Sequence, residues 1–369
     1  MINVQQFINE LKKNDLIFST GVPDSLIKDL CFGFENNFKK KNIIASNEGS
    51  AVGIAIGYYL SSKKIPIVYM QNSGLGNAIN PLISLADKNV YKVPIFLIIG
   101  WRGEIKNNFR DEPQHITQGK VTEDFLKKLN IKYKIINSKS NFKKIIKYLS
   151  EKSKKNKEIV ALLVRKNSFE KKLNIKHDKS NLLFREEVLD FITKKIPKNS
   201  TIVSTTGILS RELNELIKKN DLKINNLMCV GGMGHAISIA NGIAINKKEK
   251  IFCFDGDGSI TMHLGSLATS SKQKNLIHIV FNNFSHESVG GHDNSAKHVK
   301  FYKLSKEIGY GKNYFCRSKN SILKNIDRSL KNKKSTFIEI LIKKGHRKNI
   351  SRPSEKMTTL GNKFLKSLN

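Results

Sequence analysis

Two apolar runs in the second half of this chain end in residues that could hold a metal and a phosphate. Phe252-Cys-Phe-Asp-Gly256-Asp257-Gly258-Ser259 is the first, and Leu276-Ile-His-Ile-Val-Phe281-Asn-Asn283-Phe-Ser285 the second. Each has the length of a buried strand, and a helix-length segment separates them. Gly256 and Gly258 let the backbone approach a diphosphate closely, so that its N–H groups can point at the oxygens. Asp257 supplies a hard anionic oxygen and Asn283 a neutral one, with Ser285 a third oxygen nearby. Mg²⁺ takes such a set, one or two protein oxygens with phosphate and water completing the octahedron.

Rival readings fail on detail. Asp255-x-Asp257-x-Ser259 starts like a calcium loop, but Ile260 occupies the sixth position and Ser266 the twelfth, where Gly and Glu are needed. His286-Glu287 suggests a zinc-protease helix, but Gly290 replaces the second His. Gly74-Leu-Gly76 begins like a dinucleotide fingerprint, yet Ile79 stands where the third small residue belongs. A plain strand-end turn is the remaining alternative for Asp257.

The elements that must position these groups follow from periodicity. Short apolar runs alternate with helical patterns, which predicts βαβ units and parallel sheets. Strands are expected near Leu16–Thr20, Asn42–Ala45, Ile65–Met70, Val93–Ile99, Tyr133–Ile136 and Ile159–Val164, with helices over Ser50–Leu60 and Asn77–Leu85. A second series is expected near Thr201–Ser204, Leu227–Val230, Ile251–Phe254, Ile277–Phe281, Tyr314–Arg317 and Thr336–Ile342. The 369 residues therefore divide into an α/β domain over 1–170, a polar linker over 171–184, and a second α/β domain over 185–369. The two halves show no obvious sequence repeat.

Composition bounds the partners. Lys and Arg number 65 against 31 Asp and Glu, a net charge of +34. The lysines are spread among Asn and Ile, as in Lys152-Ser-Lys-Lys-Asn-Lys157, with no basic motif carrying stacking aromatics. Nucleic acid is not an expected partner, although the field would steer an anionic substrate. Cys31, Cys229, Cys253 and Cys316 have no metal or redox spacing and read as reduced thiols, three of them in apolar runs. Met1-Ile-Asn-Val-Gln-Gln lacks a secretion-signal pattern, and no apolar run is long enough to span a bilayer, so a cytoplasmic protein without a membrane partner is expected.

In the first half, Ala45-Ser-Asn-Glu48-Gly49 precedes a small-residue helix. Glu48 reads either as an acid favoured by the helix dipole or as a functional carboxylate at a sheet edge where α/β proteins bind ligands. In the second half, Ser204-Thr-Thr206-Gly207 ends a strand, where hydroxyls and N–H groups could reach a phosphate.

Gly-Asp-Gly-Ser…Asn-Asn resembles the metal–diphosphate motif of the thiamine diphosphate (ThDP) enzymes. That resemblance implies two doubly wound α/β domains, the pyrimidine-binding one first and the diphosphate-binding one second, without the central domain of larger members. It implies ThDP and Mg²⁺ as cofactors, with Asp257, Asn283 and Ser285 on the metal. Gly256, Gly258, Ser259 and Thr206 would lie on the diphosphate. Glu48 takes the place of the glutamate that protonates the aminopyrimidine ring. Val230-Gly-Gly-Met-Gly-His235 resembles the segment that holds that ring, with the Gly231 carbonyl on its amine and Met233 as the apolar wedge.

Longer strings narrow the resemblance. Thr20-Gly-Val-Pro-Asp24-Ser25-Leu26, Tyr69-Met-Gln-Asn-Ser-Gly-Leu-Gly-Asn77, Gly100-Trp-Arg102-Gly-Glu104 and Asp111-Glu-Pro-Gln-His115 resemble the phosphonopyruvate decarboxylases. So do His286-Glu-Ser-Val-Gly-Gly291 and Gly345-His-Arg347-Lys-Asn-Ile-Ser-Arg352-Pro353. Departures are a longer, more polar loop over Lys106–Arg110 and His292-Asp293 where relatives often carry Gln-Pro. The resemblance implies decarboxylation of 3-phosphonopyruvate to phosphonoacetaldehyde in phosphonate biosynthesis. His115 and His286 would be proton donors or anion ligands beside Glu48, with Asp24, Arg102, Arg347 and Arg352 as substrate-binding candidates. It also implies a homo-oligomer, a dimer or larger, with cofactor held between subunits. The alternatives are sulfopyruvate decarboxylase or another 2-keto acid decarboxylase, and, in a different class, a non-enzymatic basic binding protein on a degenerate ThDP fold. The intact Glu48, Asp257 and Asn283 argue against decay.

Overall fold

Both series of apolar runs form parallel sheets. The computed structural model describes residues 1–104, 111–171, 178 and 180–368. The loop expected over Lys106–Arg110 lies outside the described residues, as do residues 172–177 and 179 of the expected linker. Packing divides the chain into two units, Met1–Asn174 with Val289–His292, and Ile175–Ser288 with Asp293–Asn369.

The first unit holds β1 (Ser19–Gly21), β2 (Asn42–Ile44), β3 (Ile67–Gln71), β4 (Phe96–Gly100), β5 (Lys132–Ile136) and β6 (Val160–Val164). The second holds β7 (Ser200–Ser204), β8 (Ile224–Met228), β9 (Ile251–Gly256), β10 (Leu276–Asn282), β11 (Lys312–Cys316) and β12 (Thr336–Leu341). The sheet orders are β2-β1-β3-β4-β6-β5 and β8-β7-β9-β10-β12-β11. By position in its own unit, each sheet runs second, first, third, fourth, sixth, fifth, so the two units share one topology.

Central strands are buried on both faces, which is why they read as unbroken apolar runs rather than alternating ones. Along β4, Phe96 and Ile98 join one core with Phe7, Phe34 and Tyr69, while Leu97 and Ile99 join another with Val52 and Met70. The edge strand β5 instead places Lys132 and Lys134 outward, a charged edge that discourages further pairing. The strands agree with the expected ones within a few residues. The largest shifts are three residues: β1 begins at Ser19 rather than Leu16, β4 at Phe96 rather than Val93, and β8 at Ile224 rather than Leu227.

The first and third strands of each sheet adjoin and their connections leave in opposite directions, so the cleft beyond their carboxyl ends is the topological switch point. In the second unit that edge carries the loops after Ser204 and Gly256. It is buttressed by Arg185, whose Nε and Nη1 donate to Glu212 (2.6 Å) and Glu287 (2.8 Å); Arg185 and Glu212 are buried and Glu287 partly so. The guanidinium satisfies two desolvated carboxylates, and a broken pair of this kind typically costs about 3–5 kcal/mol. A piece not announced by the sequence is Val289–His292, which packs within the first unit. There the His292 ring stacks on Phe32 and Nδ1 meets Glu35, an anchor that Gln in its place would not reproduce.

All four cysteines are free, with Cys31, Cys253 and Cys316 buried and Cys229 partly so. Among the described residues no helix is long and apolar enough to cross a membrane.

Candidate cofactor and active site

Asp257 opens the short helix that follows β9, and its carboxylate is buried. Its Oδ2 accepts from the Ser285 N–H (3.1 Å) and from Asn294 Nδ2 (3.0 Å). Asn283 Oδ1 accepts from the same Ser285 N–H at 3.1 Å. One backbone donor thus draws an anionic and a neutral oxygen together, from strand ends 26 residues apart in the chain (257 to 283). Burial pushes the Asp257 carboxyl up to about 6, against the hydrogen bonds from Asn294, Gly258 and Ser285. Two converging hard oxygens, one costly to ionise when no cation is near, fit a divalent ion whose charge would reverse that shift.

Glycines open the room around them. A Cβ on Gly256 would meet nothing within 4 Å, while one on Gly258 would stand 2.6 Å from His286 Nδ1. His286 is therefore packed directly on the Gly-Asp-Gly turn. Ser259 is buried, and its Oγ accepts from the Gly234 N–H (3.0 Å) and from Thr205 Oγ1 (2.8 Å). It ties together three loops at the sheet edge. Thr205, outside the expected set, makes that bond. Thr206 is only half-buried beside Gly207, whose φ of 105° starts the next helix. Gly231 and Met233 lie half-buried in the loop that Gly234 pins.

The first unit presents its own group of polar side chains at carboxyl strand ends. Asn47, not Glu48, caps the helix Glu48–Ser62, accepting from the Ser50 N–H at 2.8 Å. That leaves the buried Glu48 carboxylate free of capping, with Oε2 accepting from Asn77 Nδ2 (2.8 Å) and the carboxyl lying against Gly74. A Cβ at Gly74 would come within 2.5 Å of Glu48, so that glycine is required by the approach.

Arg102, Asp111, His115, Ser25 and Asp24 form a second group. Arg102 grips Asp111 through Nε (2.9 Å) and Nη2 (2.5 Å) and donates from Nη1 to Ser25 Oγ (2.8 Å). His115 Nδ1 meets Asp111 Oδ1 at 2.8 Å. Burial opposes the charge on Asp111, but the bonds from Arg102 and His115 outweigh it and hold the carboxyl well below its usual range. Burial, together with Arg102, lowers the His115 imidazole despite Asp111. Asn72, absent from the expected set, fixes the Arg102 backbone on both sides, donating to its carbonyl (2.9 Å) and accepting from its N–H (3.1 Å).

Asp24 is buried, with Oδ2 accepting from the Leu26 N–H at 3.1 Å and Oδ1 without a hydrogen-bond partner. Burial pushes its carboxyl from 3.8 to about 6, only partly opposed by Arg102. Between those values the folded chain keeps a proton that the unfolded chain has shed, so stability falls as pH rises through the window and the deficit persists above it. Asp24→Asn should therefore gain about 1–3 kcal/mol at pH 7 relative to its effect at pH 4. Urea denaturation at both pH values reads this, and an equal effect at each would refute it.

The other two arginines of the expected set lie in the second unit. Arg347 is partly exposed and pairs with Glu186 (2.9 Å) and with Glu215, while Nη1 donates to the Asn349 carbonyl (2.5 Å). Arg352 is exposed on the same C-terminal segment.

Comparison with known proteins agrees with this architecture. The thiamine pyrophosphate enzyme N-terminal TPP binding domain matches residues 3–127, and the C-terminal TPP binding domain matches residues 207–340. A phosphonopyruvate decarboxylase of Streptomyces viridochromogenes is 27% identical over 363 residues, covering 93% of this chain and 89% of that protein. A sulfopyruvate decarboxylase of Methanosarcina acetivorans is 24% identical over 365 residues, 93% of this chain and 92% of the other. The sulfopyruvate decarboxylase subunit alpha of Methanocaldococcus jannaschii is 36% identical over 155 residues, 42% of this chain and 88% of that subunit.

The chain belongs to the thiamine diphosphate-dependent enzymes, with the N-terminal and C-terminal cofactor-binding domains. Within that family it is a 2-keto acid decarboxylase, a carboxy-lyase.

Proposed function

We propose that the protein decarboxylates 3-phosphonopyruvate to phosphonoacetaldehyde and CO₂, using ThDP and Mg²⁺, as a step of phosphonate biosynthesis. The observation that carries the cofactor reading is the convergence of Asp257 Oδ2 and Asn283 Oδ1 on one N–H. The substrate reading is supported by likeness to a phosphonopyruvate decarboxylase along 93% of the chain.

Bound ThDP supplies a nucleophilic carbon and an electron sink for a 2-keto acid. The chain's residues do the rest. Asp257 and Asn283, with the Ser285 hydroxyl, would hold Mg²⁺ on the diphosphate, and the backbone from Gly256 to Gly258 would come close to it, with Thr206 at the rim. Ser259 braces the loops that form this cradle. Gly231 and Met233 would receive the ring end. Glu48, buried and oriented by Asn77, would donate its proton to the ring nitrogen. His115 and His286 would bind the substrate carboxylate or move a proton to the product carbon. Arg102, held in place by Asp111 and Ser25, is the foremost phosphonate ligand, and Asp24 lies in the same group. Arg347, whose guanidinium pairs with Glu186 and Glu215, and Arg352 are further candidates.

A second reading, sulfopyruvate as substrate, is favoured by the higher identity to the alpha subunit of a sulfopyruvate decarboxylase. Side-by-side assay of phosphonopyruvate, sulfopyruvate and pyruvate separates them. A site with several fixed positive donors leaves them unpaired against a methyl group, so discrimination against pyruvate should reach about 10⁴-fold. Arg102→Gln should raise KM for phosphonopyruvate far more than for pyruvate. Equal losses would make Arg102 structural, and faster turnover of sulfopyruvate would transfer the assignment to that acid.

We also propose a homo-oligomer of at least two copies, in which closed symmetry makes the sites equivalent. Light scattering that finds an active monomer at assay concentration would refute this.

A further inference from the structure

Beneath the Gly-Asp-Gly turn, three side chains that the decarboxylation does not use meet inside the second sheet. Cys253 and Asp255 are two residues apart on β9, so they share one face. His278 lies directly opposite Cys253 on β10. The Cys253 thiol, an Asp255 carboxylate oxygen and a His278 ring nitrogen all lie within 4.8 Å of one another, and the three residues are fully buried. Asp255 Oδ2 and His278 Nε2 are 3.4 Å apart, yet neither makes a hydrogen bond. The other Asp255 oxygen is occupied by the Gly256 N–H at 2.9 Å. Two buried polar atoms thus point into one small space without satisfying each other, a costly arrangement in an apolar core.

We propose that Cys253, Asp255 and His278 form a buried site for a borderline-soft divalent cation of the Zn²⁺ class, distinct in its ligands from the all-oxygen site at Asp257. The spacing fits. Ligands about 2.0–2.1 Å from a tetrahedral ion stand roughly 3.3–3.4 Å apart, the separation of Asp255 Oδ2 and His278 Nε2. Thiolate, imidazole and carboxylate together suit Zn²⁺ rather than Mg²⁺. The other ring nitrogen of His278 faces the Tyr310 hydroxyl at 3.5 Å, and the ring lies edge-on to Phe337; both fix the ring's orientation as outer partners of a metal-bound imidazole do. Burial, with Asp255 adding to it, pushes the Cys253 thiol well up. A cation there would displace the thiol proton to solvent and offset the buried carboxylate as well. The ion would clamp β9 to β10 directly below Gly256.

This inference is independent of the substrate and of the ThDP roles assigned above. The full-length protein, expressed in zinc-depleted medium supplemented with Co²⁺, provides the test. Cobalt bound by thiolate gives a near-ultraviolet charge-transfer absorption that an oxygen-only site does not. The expected result is such a band, with about one cobalt per chain by mass spectrometry. The band should disappear in Cys253→Ser, weaken at least about tenfold in cobalt affinity in His278→Gln, and persist in Asp257→Ala. Wild-type protein without the band overturns the proposal however the variants behave. A band that survives Cys253→Ser, or vanishes in Asp257→Ala, overturns it as well.

Discussion

Asp257→Ala is expected to abolish Mg²⁺-dependent ThDP binding while leaving the unliganded fold intact. The carboxylate is buried, and burial already makes its charge costly, with the group raised to about 6. Removing it relieves the empty protein of that cost, and the Ser285 N–H keeps Asn283 Oδ1 as acceptor. The diphosphate, in contrast, loses the anionic half of its cation clamp. Disturbing outer partners of a metal costs about 10–100-fold in affinity, and deleting a ligand should exceed the upper figure. Asn283→Ala should act in the same direction with a smaller effect, since a neutral ligand is lost. Calorimetry of ThDP binding with and without Mg²⁺ reads both, and unchanged affinity in folded Asp257→Ala would remove the metal role.

Glu48→Gln should separate binding from turnover. The side chain is buried against Gly74, and Oε2 accepts from Asn77 Nδ2. A glutamine keeps the shape, and its amide oxygen can accept the same bond, so the pocket survives. What it lacks is an acidic proton for the ring nitrogen. Loss of a positioned acid typically costs about 10²–10⁴-fold in rate. ThDP should still bind, turnover should fall within that range, and exchange of the C2 proton of bound cofactor should slow in parallel. Turnover near the parent's at saturating cofactor would end the assignment.

These two residues also mark what was legible before any fold was known. Asp257 and Asn283 each follow an apolar run, and a buried parallel strand is an unbroken apolar run, so strand and turn could be placed together. Glu48 was ambiguous because a carboxylate at a helix start has an ordinary electrostatic reason to be there. The structure assigns capping to Asn47 and frees Glu48. The shared strand order of the two units left no trace in the sequence, because many different apolar residues fill equivalent strand positions.

The sequence by itself determined the alternation of strands and helices and the two-unit architecture, because both depend on residues close in the chain, and its motifs carried the resemblance that named the cofactor class. The tertiary structure alone decided the pairings between distant segments. Asn294 reaches Asp257 across 37 residues, and Arg347 reaches Glu186 across 161. Cysteines with no metal spacing along the chain proved to include Cys253, which faces His278 across neighbouring strands. Such contacts are set by which strands adjoin and in what register, and linear spacing carries no record of either.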